Sequence, residues 1–449
     1  MRTKCVYRLP MLLLSGFVAL VAISGSLAHA VPPVQAVLEV TTSSPYVLAS
    51  TVQTLPVKVS LTGFDIGGDR QRAPVNVAII LDRSGSMGGE KIARAKEAAE
   101  IAVSRLSSDD ILSVITYDDQ VKVVVAPTKL RDRESINKAI RSIEVGGSTA
   151  LFAGVSQGAQ ELRKFFEKNQ VNRIVLLSDG MANVGPSSTA ELGDLGTSLG
   201  REGITVTTLG LGLGYNEDLM VKLAAASDGN HAFIENASNL ASIFGSEFGN
   251  ILSVVANDVQ LNITCGSGVR PVRVLGYDAE INGQDVSIRF NQLYAKSEKY
   301  VILEVEVAAS EANKKQELAK VDASYLNLAT KSRDKLAGNV AISFTTSKES
   351  VTTNINKSTA SDYYQQIANQ RFEEVVRARD AGKKEQAKEI LKSNTQMLES
   401  RAAEMNLPAL EKEATKYKEE SKKLDSESWD KQRKEMTKTK DSLSRQQKY

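Results

Sequence analysis

Between residues 75 and 253, short apolar runs alternate with stretches of helical period, and that alternation permits few folds. The strand-like runs cover 75–81, 111–117, 121–125, 173–177, 204–209 and 232–234. The helical patterns cover 91–105, 135–143, 151–167, 189–201, 216–226 and 240–252. A strand that reads as a continuous apolar run must be covered on both faces, and the intervening helices supply that cover. The expectation is an α/β fold with a doubly wound, mostly parallel, Rossmann-like sheet. In such a fold ligands gather beyond the carboxyl ends of the strands.

Period two takes over on both sides of this region. An N-terminal β segment is expected over 31–72 and a β-sandwich-like domain over 255–350, with the α/β domain at 73–254 between them. A sandwich buries both inner faces better than two small β units would, so the flanks should pair and the α/β domain should be an insertion. Turns are expected at Asn282-Gly283 and Gly338-Asn339. Residues 351–449 form an α-helical region with two apolar stripes. One carries Tyr364, Ile367, Phe372, Val375 and Val376, and the other Ala387, Ile390, Leu391, Met397 and Leu398. Breaks fall near Ala381-Gly382 and Leu407-Pro408. Beyond about Ser421 apolar residues thin out, and a disordered tail is the expectation.

The first thirty residues read as a secretory signal. Arg2, Lys4 and Arg8 precede an apolar run over 10–27, and Ala28-His29-Ala30 is a small-x-small cleavage pattern. The chain is therefore expected to be exported, to a periplasm or to the cell surface and beyond. Membrane association follows only if the signal stays uncleaved as an anchor. Cys5 leaves with the signal, so Cys265 has no partner within the chain and stability must come from packing. The 56 basic and 54 acidic residues are balanced, which argues against a nucleic-acid partner.

Asp82-Arg83-Ser84-Gly85-Ser86-Met87 follows an apolar strand directly. Three oxygen donors on one tight loop suit a hard divalent cation, Mg²⁺ first, with Mn²⁺ and Ca²⁺ as the others. One loop cannot fill six positions, and a shell rich in neutral hydroxyls leaves the ion with residual positive charge. Gly146-Gly147-Ser148-Thr149 and Leu177-Ser178-Asp179-Gly180 have fitting chemistry and should fall on the same sheet edge. Asp-x-Ser-x-Ser alone would also serve as a turn and helix cap.

Taken together, the three loops resemble the von Willebrand factor A family, whose metal-ion-dependent adhesion site reads Asp-x-Ser-x-Ser, then Thr, then Asp. The matching residues are Asp82, Ser84 and Ser86, then Thr149, then Asp179. The arrangement is most similar to bacterial exported members akin to the inter-α-trypsin-inhibitor heavy chain and calcium-activated chloride-channel group. The resemblance implies that Asp82, Ser84, Ser86 and Thr149 hold the ion directly or through water, and that Asp179 assists. It implies a protein ligand that supplies an Asp or Glu carboxylate, and a role in adhesion or scaffolding.

Other readings stand beside this one. The C-terminal helices would self-associate if the chain were a structural assembly protein. A metal-dependent hydrolase is disfavoured, because His231 is the single histidine after the signal and no general base adjoins the loops. Gly210-Leu211-Gly212-Leu213-Gly214 lacks the spacing of a dinucleotide loop. Asp118-Asp119 reads as a turn, and His231 and Cys265 read as structural.

Overall fold

The computed structural model describes residues 34–67, 72–426 and 428–448; the expected signal at 1–30 lies outside them. Six strands make the α/β sheet in the order Val121–Lys129, Ile111–Tyr117, Val75–Asp82, Val171–Ser178, Ile204–Leu211, His231–Ile234. All neighbours are parallel except the first pair, an antiparallel hairpin at the edge. Every residue of Val75–Asp82, Ile111–Tyr117, Val171–Ser178 and Ile204–Leu211 is buried, as their apolar runs require. Within the first of these, Val75, Val77, Ile79 and Leu81 point to one core, where they meet Ala98, Ala102, Phe244 and Phe248. Ala78 and Ile80 point the other way, toward Val155, Leu162, Leu199 and Leu223. Period-two alternation thus feeds two helical layers, and the doubly wound expectation holds.

The flanking β segments form one sandwich. Its first sheet joins Val37–Thr42 and Gln53–Thr62, from before the α/β region, to Glu298–Val307 and Val269–Leu275, from after it. The second runs Glu280–Asn282, Asp285–Tyr294, Val254–Cys265, Lys315–Asn327, Ser332–Thr345, Tyr46–Leu48. Val57, Val59, Leu61 and Leu303 of one sheet share a core with Leu261, Ile263, Ile288 and Val321 of the other. The α/β region is therefore inserted into a β-sandwich.

One expected turn is corrected. Asn282-Gly283 turns as anticipated, with Gly283 at φ +61°, but Gly338 lies inside the strand Ser332–Thr345. A Cβ there would come within 2.9 Å of Val40 Cγ2. The glycine permits close approach of the opposite sheet, a role that turn chemistry does not distinguish.

The C-terminal region comprises Lys348–Thr353, Lys357–Asp380, Lys384–Met405, Pro408–Ser426 and Trp429–Ser444. Breaks fall where expected, with Gly382 and Asn406 in left-handed conformation. The apolar stripes meet each other within the chain, and Phe372 stands edge-on to Tyr417 at 4.8 Å. The disordered tail is a second correction: Trp429–Ser444 is a helix laid on the α/β domain. Charged groups hold it. Lys434 is buried, donates to Tyr215 O at 2.8 Å and pairs with Glu217, while Arg433 reaches Asp218 at 2.7 Å. Gln447–Lys448 then pairs with Glu298 and Lys299 at the start of the inner sandwich strand Glu298–Val307. Among the described residues no helix is long and apolar enough to cross a membrane.

The contact at Gly338 is testable by urea unfolding. Gly338→Leu should cost about 1–3 kcal/mol by forcing the two sheets apart. Leucine at the exposed neighbour Asn339 should stay within about 0.5 kcal/mol of the native chain. Equal effects at the two positions would contradict the inter-sheet contact.

Candidate functional site

Three parallel strands end side by side. Asp82 closes the central strand Val75–Asp82, Tyr117 is its register partner on one side, and Leu81 pairs with Leu177 on the other. Each chain then leaves through a loop, so Asp82, Asp118 and Asp179 start their loops at one sheet edge. The first loop makes a single helical turn at Gly85–Met87 before the helix Glu90–Arg105. Thr149 stands just ahead of the helix Leu151–Arg163.

All five residues singled out by sequence are brought together. Asp82 is fully buried, Ser84, Thr149 and Asp179 are also buried, and Ser86 is exposed. The Ser84 amide donates to Asp82 Oδ1 at 2.8 Å, tightening the loop. Ser84 Oγ and Ser86 Oγ lie 3.1 Å apart, and Ser86 Oγ donates to Asp179 Oδ1 at 2.6 Å. Gly180 marks the meeting point. A Cβ placed on it would lie 3.2 Å from Thr149 Oγ1, 3.4 Å from Ser86 Oγ and 3.9 Å from Asp82 Oδ2. Three oxygens from two loops thus face one small space that a glycine of the third keeps clear of carbon. This donor set, hydroxyls with two carboxylates, fits a hard cation. Among the described residues no group of three or more His, Cys, Asp or Glu forms an alternative metal cluster.

Several residues of the site were not anticipated. Ser178 Oγ donates to Asp82 Oδ2 at 2.7 Å, and the buried Tyr117 hydroxyl donates to the same oxygen at 3.3 Å. Burial raises the Asp82 carboxyl above its ordinary 3.8, with the nearby Asp179 charge adding to the rise, although hydrogen bonds from Ser84 and Ser178 oppose it. Burial and the Asp82 charge push Tyr117 well above 10, so it remains a donor. Lys91, the second residue of the helix Glu90–Arg105, pairs with Asp179 Oδ2 and donates to Ser86 O at 3.3 Å. Ser178 was adjacent to a marked residue; Lys91 carried no signal beyond its helical position.

Asp118 ties the loops together. It turns the chain as expected, accepting from the Gln120 amide at 2.8 Å, and its other oxygen accepts from the Gly147 amide at 3.1 Å. Arg83 pairs with that oxygen at 2.7 Å. Gly146 N donates to Arg83 O at 2.7 Å and Gly85 N to Gly147 O at 3.0 Å, so the first two loops are laced backbone to backbone. Burial would raise the Asp118 carboxyl, but those amides and Arg83 hold it below 3.8.

The remaining candidates are structural. Thr208 Oγ1 donates to Met220 O at 3.0 Å, which leaves it to accept from His231 Nδ1 at 2.9 Å; Nε2 then accepts from Tyr215 at 3.2 Å. Burial, with the charges of Arg445, Lys434 and Lys438, pushes His231 down to about 3, so the ring is neutral. Cys265 is buried and pushed up to about 11, again by burial first and Asp285 second. Gly210 makes room for the Tyr215 ring, and Gly214 for the carbonyl of Asp179. These glycines serve packing.

Residues 76–246 match the von Willebrand factor type A domain family. An uncharacterized protein of Synechocystis sp. is 35% identical over 191 residues, covering 42% of this chain and 45% of that protein. The inter-alpha-trypsin inhibitor heavy chain H3 of Homo sapiens is 27% identical over 172 residues, covering 36% of this chain and 18% of that one. The chain thus spans less than half the length of these curated relatives. A solved von Willebrand factor type A structure from Catenulispora acidiphila has the same fold. It covers 92% of this chain and 97% of its own, with a TM-score of 0.70 at 18% identity.

Asp118 gives a pH-dependent expectation. A carboxyl held below its unfolded value stabilises the fold above that value, and the stabilisation is lost as pH falls through the folded value. Asp118→Asn should therefore be less stable than the native chain near neutral pH. The gap should close as pH drops through and below about 3.8. A gap that stays constant with pH would show that the carboxylate charge is not what matters.

Proposed function

We propose, from the premise that residues 76–246 of this chain are a von Willebrand factor type A domain, that it is an exported protein which grips a protein partner through a divalent ion. Such domains commonly mediate protein–protein interaction. Asp82, Ser84, Ser86 and Thr149 would hold the ion, with Asp179 assisting, and Mg²⁺, Mn²⁺ or Ca²⁺ would suit the oxygen donors. The bound ion would supply a Lewis-acidic position to which an Asp or Glu carboxylate of the partner binds. The role is capture, in adhesion or scaffolding, without turnover. Export rests on the signal pattern at 1–30.

The observation that carries this reading is the convergence of Thr149, Ser86 and Asp82 oxygens on the point beside Gly180. The chain's own residues prepare that point. Ser178 and the Ser84 amide orient the Asp82 carboxylate, the Asp118–Arg83 pair fixes the second loop against the first, and Gly180 keeps carbon away. Asp82 is buried with neutral hydrogen-bond donors around it, an arrangement that a cation would complete.

Two measurements test this. Mg²⁺ or Mn²⁺ should raise the unfolding temperature of the native chain, with a gain of about 2.7 kcal/mol at a hundredfold excess over Kd, and chelator should reverse it. Asp82→Asn should fold, by circular dichroism, yet show no such response. Capture of proteins from the native envelope should follow the same pattern, lost with chelator and lost in Asp82→Asn. An unfolding temperature indifferent to Mg²⁺, Mn²⁺ and Ca²⁺ would overturn the metal, and capture indifferent to chelator would overturn the role assigned to it.

A further inference from the structure

Lys91 sits at a position that local helix energetics disfavour. It is the second residue of the helix Glu90–Arg105, and only Gly88 and Gly89 separate that helix from the turn Gly85–Met87. A cation at a helix N-terminus opposes the macrodipole. The reason for a lysine there lies across the site. Its ammonium pairs with Asp179 Oδ2 and donates to Ser86 O at 3.3 Å. Ser86 Oγ in turn donates to Asp179 Oδ1 at 2.6 Å, so Lys91, Asp179 and Ser86 close a ring between two loops. The Asp179 side chain has no exposed surface, whereas that of Lys91 is 37% exposed. A fully buried carboxylate thus meets its counter-charge from the solvent side.

That pair sets the charge of the site. Asp82 and Asp179 carry two negative charges, and Lys91 offsets one of them. Neighbouring charges are matched elsewhere, Arg83 with Asp118 at 2.7 Å and Glu90 with Arg94 at 3.3 Å. A divalent ion added to the two carboxylates alone would give a neutral centre. With Lys91 present the same centre is one charge positive. The ammonium repels the ion and attracts an anion, so its effects on the two have opposite sign. We propose that Lys91 is a built-in counter-ion, which lowers the affinity of the site for a divalent cation and makes the loaded site selective for anionic ligands. It acts through Asp179 and is therefore a positioning residue. This rests on the metal-dependent capture proposed above and names the residue that gives that capture its preference for a carboxylate.

Two readings on the full chain test this. Electron paramagnetic resonance gives the Mn²⁺ affinity, and proton relaxation of acetate and acetamide by the bound Mn²⁺ gives the preference for an anion over its neutral analogue. Lys91→Gln keeps a hydrogen-bond donor without the charge, Lys91→Met removes both, and Lys91→Arg keeps the charge. At low salt the glutamine variant should bind Mn²⁺ roughly tenfold more tightly than the native chain, and the gap should narrow in 0.5 M salt as screening sets in. Its preference for acetate should fall. The methionine variant, a second neutral replacement with different packing, should move both readings the same way. The arginine variant should stay within about twofold of the native chain on both. A lysine that merely braced the loops would, once replaced, weaken Mn²⁺ binding. Unchanged or weaker Mn²⁺ binding in the neutral variants, with the fold intact by circular dichroism, would overturn the proposal, as would an acetate preference that survives in them. A native chain that takes up no Mn²⁺, or that takes it up without favouring acetate, would instead overturn the capture reading on which the proposal rests.

Discussion

The site depends on one costly feature, a carboxylate buried at the end of a central strand. Asp82 has no exposed surface, and its partners Ser84, Ser178 and Tyr117 are neutral donors. Removing a carboxylate from water without a counter-charge is unfavourable, and the raised Asp82 value expresses that. Strand order explains why the cost is tolerated. The flanking strands bring Tyr117 and Ser178 within reach, and the loops that follow add Thr149 and Asp179. A cation at the point beside Gly180 would convert the desolvation cost into a binding energy. The metal-binding proposal follows from that physical logic.

The rest of the molecule holds this edge in place. The sandwich is made from both flanks of the inserted region, so the α/β domain enters and leaves a single framework. Arg173 couples the two. It is buried mid-strand in the α/β sheet, donates to Thr207 at 2.9 Å, and reaches Tyr294 of the sandwich at 3.0 Å and Gln292 beside it. The C-terminal helices close on themselves through Phe372, Leu391, Leu398 and Tyr417, and the final helix crosses to Tyr215 and Glu217. The charged tail therefore belongs to the surface around the site.

Much of this was legible in the sequence, for identifiable reasons. Strands buried on both faces must be continuously apolar, so Ile111–Tyr117 could be bounded to the residue, and the helix Leu240–Leu252 carried an equally clear apolar period. Asp82, Ser84, Ser86, Thr149 and Asp179 were picked out because their types and order resemble the metal-ion-dependent adhesion site of the von Willebrand factor A family. What stayed hidden was long-range or ionic. Gly338 answers to Val40, nearly three hundred residues away, and no local pattern reports that. The tail looked too polar to fold, yet Lys434 is buried because Glu217 and the Tyr215 carbonyl meet it. Asp118 showed its turn but not its grip on Gly147 and Arg83. Arg173 read as the start of an apolar run and is instead a cross-domain tie.

The most direct test of the account is crystallographic. Crystals of the chain soaked in Mn²⁺ should show one strong anomalous peak beside Gly180, bonded to hydroxyls of the Ser84–Ser86 loop and bordered by Thr149 and Asp82. A peak bound elsewhere, with the Asp82, Ser86 and Thr149 oxygens turned away from the space they now share, would contradict it.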